Sequence, residues 1–478
     1  MASPTTSASS SSSIDTEIKW LKTEIIPGLL KDGKLRNKND NKMDADKFQI
    51  RDITVQFIGA QEAFMLTQCY RAHIVYEYLG AVDEIKLFVK KTPPMSQEIF
   101  DAVSFKALFN NEILAYEKII PTLEAFGGIN FNTARFYYGD LQRNTATVIT
   151  ENFASKNWQV AKATYNLSLD HTLLAIIYLA QFHAVGFAFL HKNKKEFEKI
   201  TKHLEEPRYA NDDIHPRWAL TLKCGLERTV KSAQQYQSDV PQEFLDKFKN
   251  LLIKPMSYGR QLVKAKEPFV TLCHGDYLRN NVAYKYAEGK PIDVMMFDLQ
   301  TLRVSSPMLD LTIFLALSAM AEIRFKHFKD IFGTYCKELK EKYEQFAQRP
   351  LPEYLSYEFL LKEYIAFVPH SILTTSTFLL ELVEPHGMSS EELLNAEHGD
   401  EETVQMIMYK GGDIVDRELA HQIKELYDLS TEYNVDIFSV KHQKCPKTSL
   451  KLLVFEPCST MKLWLTKTFY QPWKDLEE

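Results

Sequence analysis

The stretch LCHGDYLRNNVAYKYAEGKPIDVMMFDLQ, residues 272–300, decides how this chain is read. It reads as one hairpin with His274, Gly275, Asp276, Asn280, Asn281 and Asp298 gathered around it. Strands favour Val, Ile, Tyr and Phe, whereas Asn, Asp and Gly collect in turns. A loop rich in acids and amides between two apolar strands is built for something besides packing.

Asn281 and Asp298 offer hard oxygens of the kind Mg²⁺ takes when substrate phosphates complete its shell. Asp276 lies five positions before Asn281, where it can accept a proton from an attacking hydroxyl without touching the metal. Protein kinases use the same order: Asp, Asn five later, and a second metal-binding Asp after a hairpin.

Upstream, three β-rich runs, FQIRDITVQFIG, LTQCYRAHIVYEYL and IKLFVKK, precede a strong helix, SFKALFNNEILAYEKIIP. Two shorter strands, ARFYYGD and TATVITENF, follow. Lys90 stands where a phosphate-binding lysine would project from the third strand, and Glu112 where its ion-pair partner would be. The stretch VITENF, with Glu151, would be the strand and hinge against which adenine lies. The stripe Phe105, Phe109, Tyr116 is core.

The expected organisation is α+β, a small antiparallel sheet with one helix against it and then a larger helical half. A Ser-rich tail is expected over 1–13, the first lobe over 14–153, the helical lobe over 154–433 and an appendage over 434–478. The hairpin is the one β interruption expected in the helical half.

At 478 residues, with 45% hydrophobic and 25% charged residues, the chain has an ordinary globular composition. A net charge of −6 with both signs interspersed argues against a nucleic-acid footprint. Six cysteines without CxxC spacing suggest neither a disulfide framework nor a zinc site, and fit a reducing, cytoplasmic setting. The start has no basic-then-apolar pattern, so no secretory signal is expected. The apolar segment 309–323 is too short to span a bilayer and is expected as a buried helix.

The motifs HGDYLRNN, VMMFDLQ, SSPMLDL, FNNEILAYEKIIP and LAQFHA resemble those of the ecdysteroid kinase-like (CHK kinase-like) family, related to choline kinases and aminoglycoside phosphotransferases. The resemblance covers roughly residues 15–430. It implies that the α+β organisation is a two-lobed, protein-kinase-like fold. It also implies ATP- and Mg²⁺-dependent phosphorylation of a small-molecule hydroxyl, with ATP and that acceptor as the only implied partners. It puts the catalytic base at Asp276, metal ligands at Asn281 and Asp298, and the phosphate lysine and its partner at Lys90 and Glu112. It makes His274 a structural brace of the catalytic loop and Asp310 the buried acid anchoring that loop's backbone. His183 reads as a satisfied core histidine. The metal motif, usually Asp-Phe-Gln, is here Asp298-Leu299-Gln300. The nucleotide loop GAQEAFML has a single glycine, Gly59, and Glu62 would repel phosphates if it pointed inward.

Side chains alternate across a strand, so of Lys90 and Lys91 only one faces the phosphates. Ile85, Leu87 and Val89 share one face and Lys86, Phe88 and Lys90 the other. Alternation does not say which face looks into the cleft; the family register selects Lys90. Lys91 is then expected under the helix bearing Glu112 or in solvent. The segment 364–382, apolar with a few hydroxyls, is a candidate acceptor wall, better suited to an ecdysteroid or lipophilic xenobiotic than to choline. The rival reading is a catalytically weak kinase-like protein that binds a small molecule or nucleotide. A protein kinase would carry an H-R-D form and an A-P-E-like segment, which this sequence lacks.

Overall fold

Three long strands, β1 (Phe48–Ile58), β2 (Gln68–Tyr78) and β3 (Ala81–Lys91), start the sheet. In the computed structural model, which describes residues 7–35, 47–58, 67–210, 214, 216–385 and 400–439, two more strands complete it. These are β4 (Phe136–Asp140) and β5 (Thr147–Glu151), giving the antiparallel order β1-β2-β3-β5-β4. Leu79 and Gly80, both at positive φ, close the β2–β3 hairpin as a two-residue turn whose twist matches the strands.

The two faces of this sheet are covered by different helices. On one, Tyr70, Ala72, Ile74, Leu87, Val89 and Ile149 pack with Leu21, Ile26, Leu29 and Leu30. Leu21 lies in the π turn that joins α1 (Ser7–Trp20) to α2 (Ile26–Lys31), which supplies the other three, while Ile14, Ile18 and Trp20 of α1 pack against the cluster half-buried. On the other face, α3 (Gln97–Ala102) and α4 (Phe105–Leu114) bring Phe100, Phe105, Leu108 and Phe109 onto Ala146 and Val148. Helix α5 (Ile120–Gly127) follows.

Two expectations change here. Helix α1 begins at Ser7, inside the stretch assigned to a flexible tail, because extending a helix already nucleated by Ile14 and Ile18 is nearly free even for serine. Lys91 is not beneath the helix bearing Glu112; α4 lies on the Lys90 face. Instead Lys91 is 2% exposed under α1, with Glu17 at 3.0 Å, the Trp20 ring at 5.0 Å and the Asn144 carbonyl at 2.7 Å.

The larger lobe is helical: α6 (Leu169–Lys192), α7 (Lys194–Thr201), α8 (Pro216–Tyr236), α9 (Gln242–Leu251), α10 (Pro255–Val263), α11 (Met308–Ser318), α12 (Ala321–Arg324), α13 (Phe328–Ala347), α14 (Tyr357–Val383), α15 (Asp400–Tyr409) and α16 (Gly412–Glu432). His183 meets Tyr335 and His191 meets Tyr343, each at 2.8 Å, so α6 and α13 run parallel in step. Every residue of α11 is buried, as its all-round apolar sequence requires. The expected helix 309–323 is two, α11 and α12, because the chain turns extended at Ala319. Helices Leu169–Lys192 and Tyr357–Val383 are long and apolar enough to cross a bilayer, but most of each is buried in the lobe.

The opening stretch is more than one hairpin. β8 (Val282–Ala287) and β9 (Lys290–Met296) form it, β6 (Gln159–Val160) adds to β8, and β7 (Thr271–Cys273) pairs with β10 (Arg303–Ser305). The chain from Met1 to Val440 forms one compact unit. Of the expected appendage, Phe438 packs on Phe244 with ring centroids 5.3 Å apart, and residues 440–478 lie outside the described residues.

Arg324, 2% exposed, bonds Glu418 at 2.7 Å and Glu425 at 2.5 Å, joining α12 to α16. Arg324→Met leaves two buried carboxylates without their cation and is expected to lose about 3–5 kcal/mol of stability in urea unfolding. A loss under about 1 kcal/mol would show that the cluster does not hold α16.

Candidate active site

The loop after β7 is held from below. Asp310, on α11 and fully buried, accepts the His274 N–H at 2.6 Å on one oxygen and the Gly275 N–H at 2.7 Å on the other. The first oxygen also takes the His183 Nε2–H at 3.1 Å, leaving His183 Nδ1 to accept from Tyr335. Gly275 sits at φ 81°, and a Cβ there would lie 2.2 Å from the Thr301 carbonyl oxygen, so only glycine fits. His274 Nε2–H donates to the Phe297 carbonyl at 2.9 Å, and the Thr301 hydroxyl donates to the His274 carbonyl at 2.9 Å. His274 therefore stitches the loop to the end of β9 rather than facing the cleft.

His183, Asp310 and Cys273 bring ligand-type atoms within 4.8 Å of one another. Both Asp310 oxygens are taken by N–H donors, and burial pushes the Cys273 thiol well above its ordinary range. The group is a polar strut, not a metal cage.

On the cleft face of β3, the Lys90 ammonium lies 2.7 Å from Glu112 Oε2, 2.6 Å from Asp298 Oδ1 and 2.9 Å from Gln300 Oε1. Burial opposes its charge, but the Asp298 and Glu112 carboxylates override that and hold its pKa above the ordinary lysine value. Burial raises the Glu112 pKa, against the pull of Lys90. Asp298 itself sits at φ 62° and ψ 58°, a left-handed conformation uncommon for a non-glycine residue. That turn aims its carboxylate back at Lys90, and Gln300 Nε2 steadies its second oxygen at 3.2 Å.

Asn281 Nδ2 donates to the Asp276 carbonyl at 2.8 Å. With its nitrogen turned inward, its amide oxygen is the atom left for a cation. The Asp276 side chain, 15% exposed, has Oδ1 2.9 Å from the guanidinium of Arg208 and Oδ2 3.4 Å from Asn281 Nδ2. Asn281 and Asp298 are oxygen donors of the kind Mg²⁺ prefers, so the residues present fit that ion.

The remaining expected positions are peripheral or outside view. Glu151 ends β5, and its side chain turns to Lys156 at 2.7 Å. Gly59 and Glu62 lie outside the described residues. Of the expected acceptor wall on α14, the hydroxyls of Ser371, Thr374, Thr375, Ser376 and Thr377 donate to carbonyls of their own helix, so their protons are committed there. What α14 sends toward the site is His370, whose Nε2 meets the Tyr209 hydroxyl at 2.6 Å. Burial, with Arg303 and Arg208 nearby, pushes its pKa down to about 3, so it is neutral.

A family model described as the ecdysteroid kinase-like family matches residues 61–347, more than half of the chain. The chain belongs to the ecdysteroid kinase-like family. Solved structures similar to it include an ethanolamine kinase of Plasmodium vivax, with 16% identity, a TM-score of 0.32 and coverage of 80% of this chain and 84% of that one. Another is a mutant aminoglycoside 2′-phosphotransferase-IIIa in complex with GDP, with 12% identity, a TM-score of 0.35 and coverage of 80% and 93%. Among curated proteins, none matches. Family membership places the chain among small-molecule kinases, and its architecture is the α+β, two-lobed kinase-like one.

Two site residues of this ecdysteroid kinase-like chain escaped the sequence reading, and a third, Gln300, was named only as part of the metal motif. Gln300 bonds both Lys90 and Asp298. Asn111, adjacent to Glu112, donates to the Gln300 carbonyl at 3.3 Å. Arg208 had no local signal; it comes from a loop between α7 and the stretch leading to α8.

Asp310→Asn keeps the shape of the anchor but faces one of the two loop N–H groups with an NH₂. It is expected to lose about 1–3 kcal/mol in urea unfolding. A variant as stable as the parent would show that the two loop N–H groups do not depend on this carboxylate.

Proposed function

We propose that this protein is a cytoplasmic, ATP- and Mg²⁺-dependent phosphotransferase acting on a hydroxyl of a lipophilic small molecule such as an ecdysteroid. The observation that carries this reading is the Lys90 ammonium held by Glu112 and Asp298, beside a loop that presents Asp276 and Asn281. When bound, Mg²⁺·ATP supplies the phosphoryl group and the cation that neutralises it. Lys90 grips the non-transferred phosphates, with Glu112 keeping it aimed. With Lys90 turned to phosphates, Asp298 Oδ1 and the Asn281 amide oxygen would be the atoms to hold the metal. Asp276 orients the acceptor hydroxyl and takes its proton as the oxygen attacks. The Arg208 guanidinium beside Asp276 disfavours a cationic acceptor such as choline, and the family description favours an ecdysteroid-like one.

Thermal melts with ATP, with and without Mg²⁺, combined with phosphorylation assays on ecdysteroids, sterols, choline and plant phenols, test this reading. Asp298→Ala is expected to abolish the Mg²⁺-dependent part of the ATP shift; a full shift in that variant would remove Asp298 from the ligand set. Asp276→Asn is expected to keep the shift while turnover falls about 10²–10⁴-fold, and near-normal turnover would reject it as the base. Lys90→Met is expected to lower turnover at least about tenfold, the loss of about 1.4 kcal/mol of transition-state stabilisation. Lys91→Met should cost stability through Glu17 and Trp20 while leaving turnover per folded molecule near that of the parent; the reverse pattern would move the phosphate contact to Lys91.

A further inference from the structure

The loop 203–209 touches both halves of the site. From α4, Asn110 Nδ2 donates to the His203 carbonyl at 2.9 Å. Asn111, fully buried, donates to the Glu205 carbonyl at 2.8 Å and accepts the Glu205 N–H at 2.9 Å. The next residue in α4 is Glu112, the partner of Lys90. At the far end of the loop, Arg208 reaches Asp276 Oδ1 at 2.9 Å.

Between these ends the loop is braced. Glu206 Oε1 accepts the N–H groups of Arg208 and Tyr209 at 2.9 and 3.1 Å, and its Oε2 bonds Arg303 at 2.7 Å. The Tyr209 carbonyl accepts from Arg260 at 2.7 Å, and its ring lies so close to α10 that a Cβ on Gly259 would come within 2.3 Å of it. A loop tied to α4, β10, α10 and α14 moves as a piece, if it moves at all.

We infer that Arg208 is a positioning residue for Asp276, and that loop 203–209 couples the seating of α4 to the aim of that carboxylate. Arg208 takes Oδ1, while Oδ2, at 3.4 Å from Asn281 Nδ2, makes only a long contact. Oδ2 is therefore the oxygen left to receive the acceptor's proton. Without the guanidinium the carboxylate is free to turn toward Asn281 and the metal it would hold. The contact is a single one, Arg208 Nη2 to Oδ1, so it fixes which oxygen faces the guanidinium and which is left to the cleft, and a lysine ammonium on a flexible stem would hold that oxygen less firmly. The same rigid loop makes α4, hence Glu112 and Lys90, report on whether Asp276 is aimed. The inference rests on the proposed role of Asp276 as proton acceptor.

The test compares Arg208→Met, Arg208→Lys, Asn111→Ser and Asn110→Ala in the full-length protein, each checked for folding by its melt. Arg208→Met is expected to lower kcat at least about tenfold with KM for ATP within about twofold, and Arg208→Lys to recover part of the loss, since a small misplacement of a reacting group can cost far more than that. Adding Asn111→Ser, or Asn110→Ala should the former not fold, to Arg208→Met is expected to lower kcat by less than about threefold more, the non-additivity of residues acting through one element. Parental or faster turnover in Arg208→Met, or full additivity, overturns the inference. Amide hydrogen exchange separates its failure from that of the proposed function, because it needs no turnover. Loosening the α4 end of the loop with Asn110→Ala or Asn111→Ser should raise exchange in peptide 273–281 as well as in the loop. Unchanged exchange there overturns the coupling even if the protein phosphorylates nothing, whereas raised exchange in a protein without transferase activity rejects the proposed function alone.

Discussion

One ammonium with two carboxylates and an amide around it organises this protein. Lys90 comes from a strand of the sheet, Glu112 from the helix packed on that strand's cleft face, and Asp298 and Gln300 from a turn some two hundred residues further along the chain. Burying such charges is costly, and a well-packed apolar substitute would serve stability as well or better. A cluster that carries that cost, with one carboxylate more than it has ammonium, fits the proposed role of receiving a cation and phosphates.

The second constraint is geometric and sits beneath the first. Asp310 pins the backbone of His274 and Gly275, His274 pins Phe297, and Asp298 follows in a left-handed turn. The loop carrying Asp276 and Asn281 and the turn carrying Asp298 are thus set by one chain of hydrogen bonds from α11. A one-ångström error in any link would separate the expected proton acceptor from the expected metal ligands. His183 and Tyr335 extend the same chain into α6 and α13, so the helical core and the site are one polar network at that point.

Much of this was legible beforehand, and the limits have physical causes. Strand alternation separated Lys90 from Lys91, and spacing singled out Asp276, Asn281 and Asp298, because those relations are local or follow from covalent periodicity. What covers each face of the sheet was not legible: α1 and α2 are amphipathic, but amphipathicity names no partner, so the ion pair of Lys91 with Glu17 appeared only in three dimensions. That the hydroxyls of α14 donate back to their own helix was equally hidden, because composition does not show where a proton points.

By itself the sequence determined most of the elements, the two-lobed class and the residues proposed here for phosphoryl chemistry, since each follows from propensity, period or a short motif. Tertiary structure alone decided which side chains meet. Arg208 reaches Asp276 from a loop with no motif of its own, and Asn111 ties that loop to the helix bearing Glu112. Those contacts join residues far apart in the chain, where sequence spacing carries no distance information and only the packing of the helices and sheet brings a guanidinium to a particular carboxylate.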